Sequence, residues 1–147
     1  MLPINLWERQ AQIKSLYSIC VEPVCKKYYI TRTELDILLF LVNNPKYDTA
    51  AEIVEIRYLT KSHVSTSVKH LEELGYLRKF YANDNQKAVH LAVKDEASDV
   101  IADGKKAQEK FISILFEGVS KDECMAMEKS LQKIGCKIKR YFEETLK

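Results

Sequence analysis

Apolar residues recur at steps of three and four along most of the chain, which is the period of an amphipathic α-helix. In the first such stretch, residues 5–29, the apolar positions are Leu6, Ile13, Leu16, Tyr17, Cys20, Val24 and Tyr28. We predict one long helix there. We expect Pro23 to bend or break it near Val21, because proline lacks the N–H that a helix interior needs.

Three shorter helices are predicted next. The pairs Thr31 with Glu34 and Thr49 with Glu52 are capping boxes, in which a hydroxyl and a carboxylate each satisfy an unpaired backbone N–H. Each box is followed by apolar residues at helical spacing. A third short helix is predicted over residues 60–74, with a buried stripe of valine and leucine at the same spacing.

The period then changes from 3.6 to two, which is typical of strands. We predict strands over residues 76–81 and 87–93. Between them Asn83, Asp84 and Asn85 supply residues that tolerate the left-handed backbone of a hairpin turn. Only one hairpin is visible, so the predicted fold is mostly helical.

Two long helices complete the chain. The first begins near Asp95 and ends at Gly118, and a third capping box, Ser120 with Glu123, opens the second. The last helix carries a heptad seam of Cys124, Met127, Leu131, Ile134, Ile138 and Tyr141. This is more apolar surface than one small helix pair can bury, which favours a partner subunit.

Composition narrows the class of protein. A chain of 147 residues with 46% hydrophobic and 30% charged residues is globular and corresponds to about one domain. No apolar run is long enough to cross a membrane, and the first ten residues do not resemble an export signal. We therefore expect a cytoplasmic protein with reduced cysteines and no membrane partner. No motif for a metal, a nucleotide cofactor or a catalytic nucleophile is present, so we expect neither a cofactor nor an enzyme.

Positive charge is concentrated in the middle of the chain. Residues 57–94 carry seven basic against three acidic side chains, whereas the segments on either side each carry one more acidic than basic residue. Such a block is typical of a compact nucleic-acid surface, although a chance fluctuation of a few charges remains an alternative.

The helix over residues 60–74 presents a polar face within this block. Its predicted exposed residues are Lys61, Ser62, His63, Ser65, Thr66, Lys69 and His70. Small polar donors at the front of such a helix can approach base edges in a major groove, and a lysine farther along can contact phosphate. An ordinary solvated helix face is the alternative interpretation.

Two short helices, a tight connection, a helix with a polar face and then a hairpin follow the order of a winged helix-turn-helix. With its flanking long helices, the whole chain resembles the MarR family of bacterial transcription regulators. The resemblance is most specific in Ala50-Ala-Glu-Ile53, in residues 59–77 and in Val89-His-Leu91.

The resemblance implies a single domain over residues 1–147. Residues 31–93 would form the DNA-binding lobe, and residues 5–29 and 95–147 would form the helices of a homodimer that binds double-stranded DNA. The implied dimer residues are Leu6, Ile13, Leu131, Ile134, Ile138 and Tyr141. The expected function is a repressor on a pseudo-palindromic operator, relieved by a small-molecule effector. Residues that could line an effector cleft are Trp7, Tyr17, Tyr28, Tyr29 and Phe111, each of which could instead be a plain core residue.

The chain departs from the family pattern at two places. The family often has arginine where Thr66 stands, and its wing usually carries an Asp-x-Arg that this chain lacks. The expected wing contacts are instead Asn85, Gln86 and Lys87, with the lysine in place of the arginine but without its planar fork. A winged-helix module that binds protein rather than DNA is therefore a second hypothesis.

Thiol chemistry supplies a third hypothesis. Cys25 is flanked by Lys26 and Lys27, which would lower the pKa of an exposed thiol and make it sensitive to oxidation. Cys20 lies in the apolar stripe and is expected in the core. Cys124 and Cys136 are expected to be packing residues of the last helix.

Overall fold

A computed structural model describes residues 3–146. The helices are α1 (Leu6–Tyr28), α2 (Arg32–Asn43), α3 (Ala50–Arg57), α4 (Lys61–Glu73), α5 (Ser98–Phe116) and α6 (Lys121–Thr145). The strands are β1 (Leu77–Ala82) and β2 (Asn85–Val93), and a single 3₁₀ turn, Asp95–Ala97, precedes α5. The predicted fold class, a mostly α winged helix-turn-helix with one β-hairpin, is confirmed.

The first helix is continuous, so of the bend or break expected near Val21 the break is wrong. α1 runs through Pro23 as a single element of 23 residues. Both Pro23 and Ile19, the residue whose carbonyl loses its N–H partner, lie on the exposed side of the helix. Water can therefore satisfy the carbonyl that proline leaves unpaired.

Capping fixes where the short helices begin. The capping boxes of Thr31 with Glu34 and of Thr49 with Glu52 are both complete in the structure. The box expected at Ser120 is only half formed. Its hydroxyl accepts the N–H of Glu123, but the Glu123 carboxylate does not accept the N–H of Ser120 in return. α4 also begins at a hydroxyl cap.

The core lies around α2, which is buried along most of its length. Leu35, Ile37, Leu38 and Leu39 are all at most 1% exposed. Other buried members of the core are Val21, Val24, Ile53, Val64, Val68, Leu71, Leu77, Leu91 and Val100. Each such side chain contributes about 1.5–3 kcal/mol relative to its exposed state, so α2 organises the winged-helix lobe and the packing of α1 and α5 on it.

The hairpin pairs β1 with β2 in antiparallel register from Leu77 opposite Val93. Its turn is two residues long, Asn83 and Asp84, and neither has a positive φ. The expected left-handed turn, and the place of Asn85 within it, are therefore wrong. The register instead shifts near the tip, where Tyr81 alone on β1 faces residues 86–89 on β2. This bulge supplies the twist that a left-handed turn would otherwise provide.

The chain divides into two compact units at Ile112 and Ser113. The first unit holds α1 to β2 and most of α5, so α1 belongs to the same compact body as the winged helix. The second unit contains α6, whose residues are exposed except for the half-buried Cys124. Within residues 3–146, no helix has the length and apolar character that crossing a bilayer requires.

Candidate nucleic-acid interface

The exposed side of α4 is the first part of the candidate interface. Lys61, Ser62, His63, Ser65, Thr66 and Lys69 are all exposed. The opposite side carries Val64, Ser67, Val68 and Leu71, which are buried against the core. The six polar side chains are therefore free to meet a ligand, while the apolar stripe holds their helix in place. Contact with DNA stays a prediction for each of them.

His70 lies apart from this set, although it was expected on the same face. Its Nδ1 lies 2.5 Å from Oε2 of Glu34 on α2, and Glu34 is only 2% exposed. His70 is therefore engaged with the interior of the lobe through one ring nitrogen. Sequence reasoning missed this pair because its members lie 36 positions apart.

The tip of the wing is the second part of the interface. Asn85, Gln86 and Lys87 are all exposed there. The side-chain oxygen of Asn85 accepts the backbone N–H of Lys87 at 3.0 Å, which stiffens the chain next to the lysine. The tip thus presents one cation on a locally ordered backbone.

The base of the wing is held by a stack of side chains that the sequence did not reveal. Nδ1 of His90 lies 2.9 Å from Oδ1 of Asp48, and its ring stacks on Phe80 at 5.2 Å. The guanidinium of Arg78 lies 5.1 Å from the centre of the Phe80 ring on the same strand. The backbone of β2 also pairs with the loop before α3, through a bridge between Thr49 and His90. These contacts therefore hold the wing against the loop that precedes α3.

A cavity of about 630 Å³ lies within the first unit, between α1, α2 and α5. Of the five aromatic residues expected at an effector site, Tyr17 and Phe111 line it, with their rings edge to face at 5.1 Å. Arg9, Arg32 and Arg57 also line it, beside Asp36. The cavity therefore combines an aromatic wall with three guanidinium groups.

Among the residues that line this cavity, Asp36 is the one with a carboxylate. Burial raises the pKa of Asp36, although the positive charges of Arg32 and Arg57 act to lower it. The hydroxyl of Tyr17 donates to Asp36 at 3.3 Å and accepts from Gln108 at 3.2 Å. Burial also raises the pKa of Tyr17, which keeps this phenol protonated as a donor. The network orients polar groups at the cavity wall.

The remaining three aromatic residues do not line this cavity in the single chain, and their place at an effector site stays a prediction. Trp7 and Tyr29 are 82% and 86% exposed. Tyr28 instead donates to Asp103 on α5 at 2.7 Å, and Lys27 binds the same carboxylate at 2.9 Å. Tyr29 has a left-handed φ of 56° and ends α1, which directs the chain out of the helix.

The thiol of Cys25 does not have the environment expected of it. Burial raises its pKa, and the nearby carboxylate of Asp36 raises it further. Lys26 and Lys27 pair with Glu22 and Asp103 instead of activating the thiol. The expected lowering of the Cys25 pKa is therefore wrong.

The other cysteines divide between core and surface. Cys20 is buried, as expected, whereas Cys136 is exposed in the single chain and so does not pack within it. In the part of the chain that the structure describes, no three His, Cys, Asp or Glu residues are arranged to hold a metal ion.

The residues expected at a dimer interface are all exposed in the single chain. Exposed fractions are 55% for Leu6, 45% for Ile13, 52% for Leu131, 49% for Ile134, 46% for Ile138 and 63% for Tyr141. Large apolar side chains at this exposure, repeated at heptad spacing on α6, are typical of a surface that associates.

The sequence of the winged helix matches the model of a known protein family. The MarR family model matches residues 30–85, which confirms the resemblance found in the sequence. No curated protein sequence matches the chain significantly.

Solved structures extend the likeness to almost the whole chain. A MarR protein from Peptoclostridium difficile has 16% identity and a TM-score of 0.82, and the match covers 98% of this chain and 94% of that one. A Listeria monocytogenes protein described as a MarR family regulator, complexed with a 26mer DNA, has the same identity and TM-score over 98% and 97%. A Staphylococcus aureus MepR–DNA complex matches at 13% identity over 91% and 98%, with a TM-score of 0.76. The chain therefore has the fold of these MarR-type winged-helix structures, and its residues 30–85 match the MarR family model.

Proposed function

We propose that this chain is a transcriptional regulator that binds double-stranded DNA as a homodimer. One observation carries the proposal, namely the exposed polar face of α4 on a MarR-type winged helix. The Listeria and Staphylococcus proteins of the same fold were solved with DNA, which supports a DNA ligand here. The expected action is repression, because a bound dimer blocks access to its operator.

Each part of the interface has a distinct role in this proposal. Ser62, His63 and Thr66 lie toward the front of α4 and read base edges in the major groove. Lys69 contacts phosphate. Lys87 at the wing tip contacts the minor groove or its phosphates, and it adds affinity with little sequence information.

The homodimer supplies the second half of the recognition. A partner subunit that covers the exposed apolar residues of α1 and α6 places two copies of α4 about one helical turn of DNA apart, ~34 Å. The operator then shares the two-fold symmetry of the protein and reads as a pseudo-palindrome.

The cavity beside Tyr17 supports regulation by a small molecule. Three arginines next to an aromatic wall suit an aromatic ligand that carries a negative charge. Such a ligand changes DNA affinity only if it binds the DNA-competent and DNA-incompetent conformations differently. Arg57→Ala should weaken the binding of an aromatic carboxylate, measured by calorimetry. The affinity for DNA in the absence of that ligand should stay unchanged.

Selection of bound DNA from a random pool tests the proposed function. An inverted repeat with half-sites one helical turn apart is the expected product. Binding of that DNA should fall steeply with salt, because several phosphate contacts release counterions. Failure to retain any DNA at low salt would reject the proposal and favour the protein-interaction module.

A further inference from the structure

We propose that Glu34 and His70 form an orientation lock that sets the rotation of α4, so that the base-reading side chains meet DNA in one register. The inference rests on the proposed function and adds a positioning pair to it. Glu34 lies on α2 and is almost fully buried, so any effect it has on DNA binding must pass through the protein.

The geometry of the pair is that of a fixed polar contact. Oε1 of Glu34 accepts the backbone N–H of Thr31 at 2.7 Å, and Oε2 accepts from Nδ1 of His70 at 2.5 Å. Both carboxylate oxygens are therefore engaged. Within residues 3–146, Glu34 is the one charged side chain that is buried, and a buried charge is stable only when it is paired and hydrogen-bonded.

The remaining contacts of α4 with the core are less directional. Val64, Val68 and Leu71 are buried apolar side chains, and apolar burial depends on area more than on angle. A helix with its side chains is about 10–12 Å across, so a rotation of about 20° moves a side-chain tip about 2 Å. A movement of that size breaks the hydrogen bond to Glu34 but leaves most of the apolar contact.

His70 lies on the same helix as the residues proposed to contact base edges. His70 follows Thr66 by four positions and His63 by seven, so the three side chains lie in neighbouring turns. A rotation that releases His70 therefore displaces Thr66 and His63 by a similar distance. Bidentate or close contacts with base edges do not tolerate such a displacement, whereas flexible lysines still reach phosphate.

The decisive variants change the buried partner. Glu34→Leu removes both contacts of the carboxylate, and Glu34→Gln retains them, with its oxygen accepting from Thr31 and its amide donating to the imidazole. Thr31→Ala is the matched control, because it removes the hydroxyl cap of α2 and leaves the pair with His70 intact. His70→Leu tests the other partner and serves if Glu34→Leu does not fold.

Affinity for the selected operator and for random DNA is measured at one salt concentration. Glu34→Leu and His70→Leu should each lose about tenfold or more on the operator, the scale of one lost base contact, and less than about twofold on random DNA. Glu34→Gln should recover most of the operator affinity, and the double leucine variant should lose no more than either single one. Equal losses on both DNAs, or the same loss in Thr31→Ala, would overturn the lock.

A second measurement needs no DNA. Backbone amide resonances of α4 should be broadened or doubled in Glu34→Leu and His70→Leu but not in Thr31→Ala, because several rotations become populated. If the parent protein binds no DNA while both leucine variants still show this broadening, the proposed function is rejected and the lock is retained. Sharp single resonances in both leucine variants would reject the lock whatever the DNA result.

Discussion

Gly104 on α5 lies so close to Leu35 on α2 that a Cβ on the glycine would lie 3.0 Å from the leucine Cδ1. Leu39 lies at 3.2 Å from the same point. The absence of a side chain at residue 104 therefore lets α5 approach the most buried helix of the lobe. Gly104 is itself buried, and its φ is not positive, so the close approach and not backbone freedom explains the glycine.

Gly104→Ala should destabilise the protein by about 1–3 kcal/mol, because overpacking displaces two leucines that are almost fully buried. Gly135→Ala is the control, since its added Cβ meets nothing within 4 Å on α6. That change should instead stabilise by about 0.5–1 kcal/mol through helix propensity. Urea unfolding of both variants measures the difference, and equal effects would contradict the close packing of α5 on α2.

Asp36→Asn should stabilise the protein increasingly as pH rises above about 3.8, the ordinary pKa of the group. Burial raises the pKa of Asp36 in the folded state, so its contribution to stability is complete below the unfolded pKa. That contribution is lost as pH rises through the folded pKa. The asparagine does not ionise and still accepts from Tyr17.

Unfolding by urea at a series of pH values measures this change. Asp103→Asn is a control of opposite sign, because hydrogen bonds from Lys27 and Tyr28 lower the pKa of Asp103. Its contribution is present above the unfolded pKa and lost as pH falls through the folded pKa. Parallel curves for Asp36→Asn and the parent would show that Asp36 is not buried as described.

Cys25 should react slowly with iodoacetamide in the folded protein at neutral pH. Only the thiolate reacts, and the raised pKa of Cys25 makes its thiolate scarce. Cys136 is exposed and serves as the internal comparison. Mass spectrometry of the labelled peptides gives both rates. Labelling of Cys25 at a higher rate than Cys136 would contradict the raised pKa and favour the hypothesis of an oxidation-responsive regulator.

Leu131→Asp combined with Ile138→Asp should abolish the proposed homodimer and nearly all operator affinity. Each aliphatic side chain contributes about 1.5–3 kcal/mol when buried, and each counts twice in a two-fold interface. Light scattering and operator binding are measured on one sample. The control changes the preceding residues, Ser130→Asp with Lys137→Asp, which lie off the seam. A double variant that stays dimeric would place the interface elsewhere.

Thr66→Ala should weaken operator binding by ~1–3 kcal/mol and random-DNA binding much less, if its hydroxyl or methyl meets a base edge. Lys69→Ala should weaken both DNAs alike and reduce the slope of log affinity against log salt by about one. Titration of the two variants against salt separates the two roles. Identical behaviour would mean that α4 only follows the phosphate backbone.

Local chemistry made the helices predictable. The boxes at Thr31 and Thr49 depend on a partner three residues away, and the stripe of α4 depends on spacing within one helix. Such signals lie within one stretch of chain, so the order of elements and, apart from His70, the exposed face of α4 could be predicted from the sequence. The continuous α1 could not, because solvent on the side of Pro23 decides whether the lost hydrogen bond matters.

Long-range contacts explain what the sequence did not reveal. The pairs of Glu34 with His70 and of Asp48 with His90 join residues 36 and 42 positions apart, and no periodicity marks them. The direction of the Cys25 pKa shift depends first on burial and then on Asp36, not on the lysines next to Cys25 in sequence. A cavity that combines residues of several helices is likewise visible only after folding.

The fastening of the wing at its base has an evolutionary consequence. His90, Phe80 and Asp48 hold the hairpin near the body of the lobe, while residues 83–87 are all exposed. Substitutions at the tip therefore alter the surface proposed to contact DNA without disturbing the packed interior. The residues at the hairpin tip can therefore change during evolution while the fold stays intact. An exchange of the tip lysine for an arginine, or a change of operator, needs no change in the core.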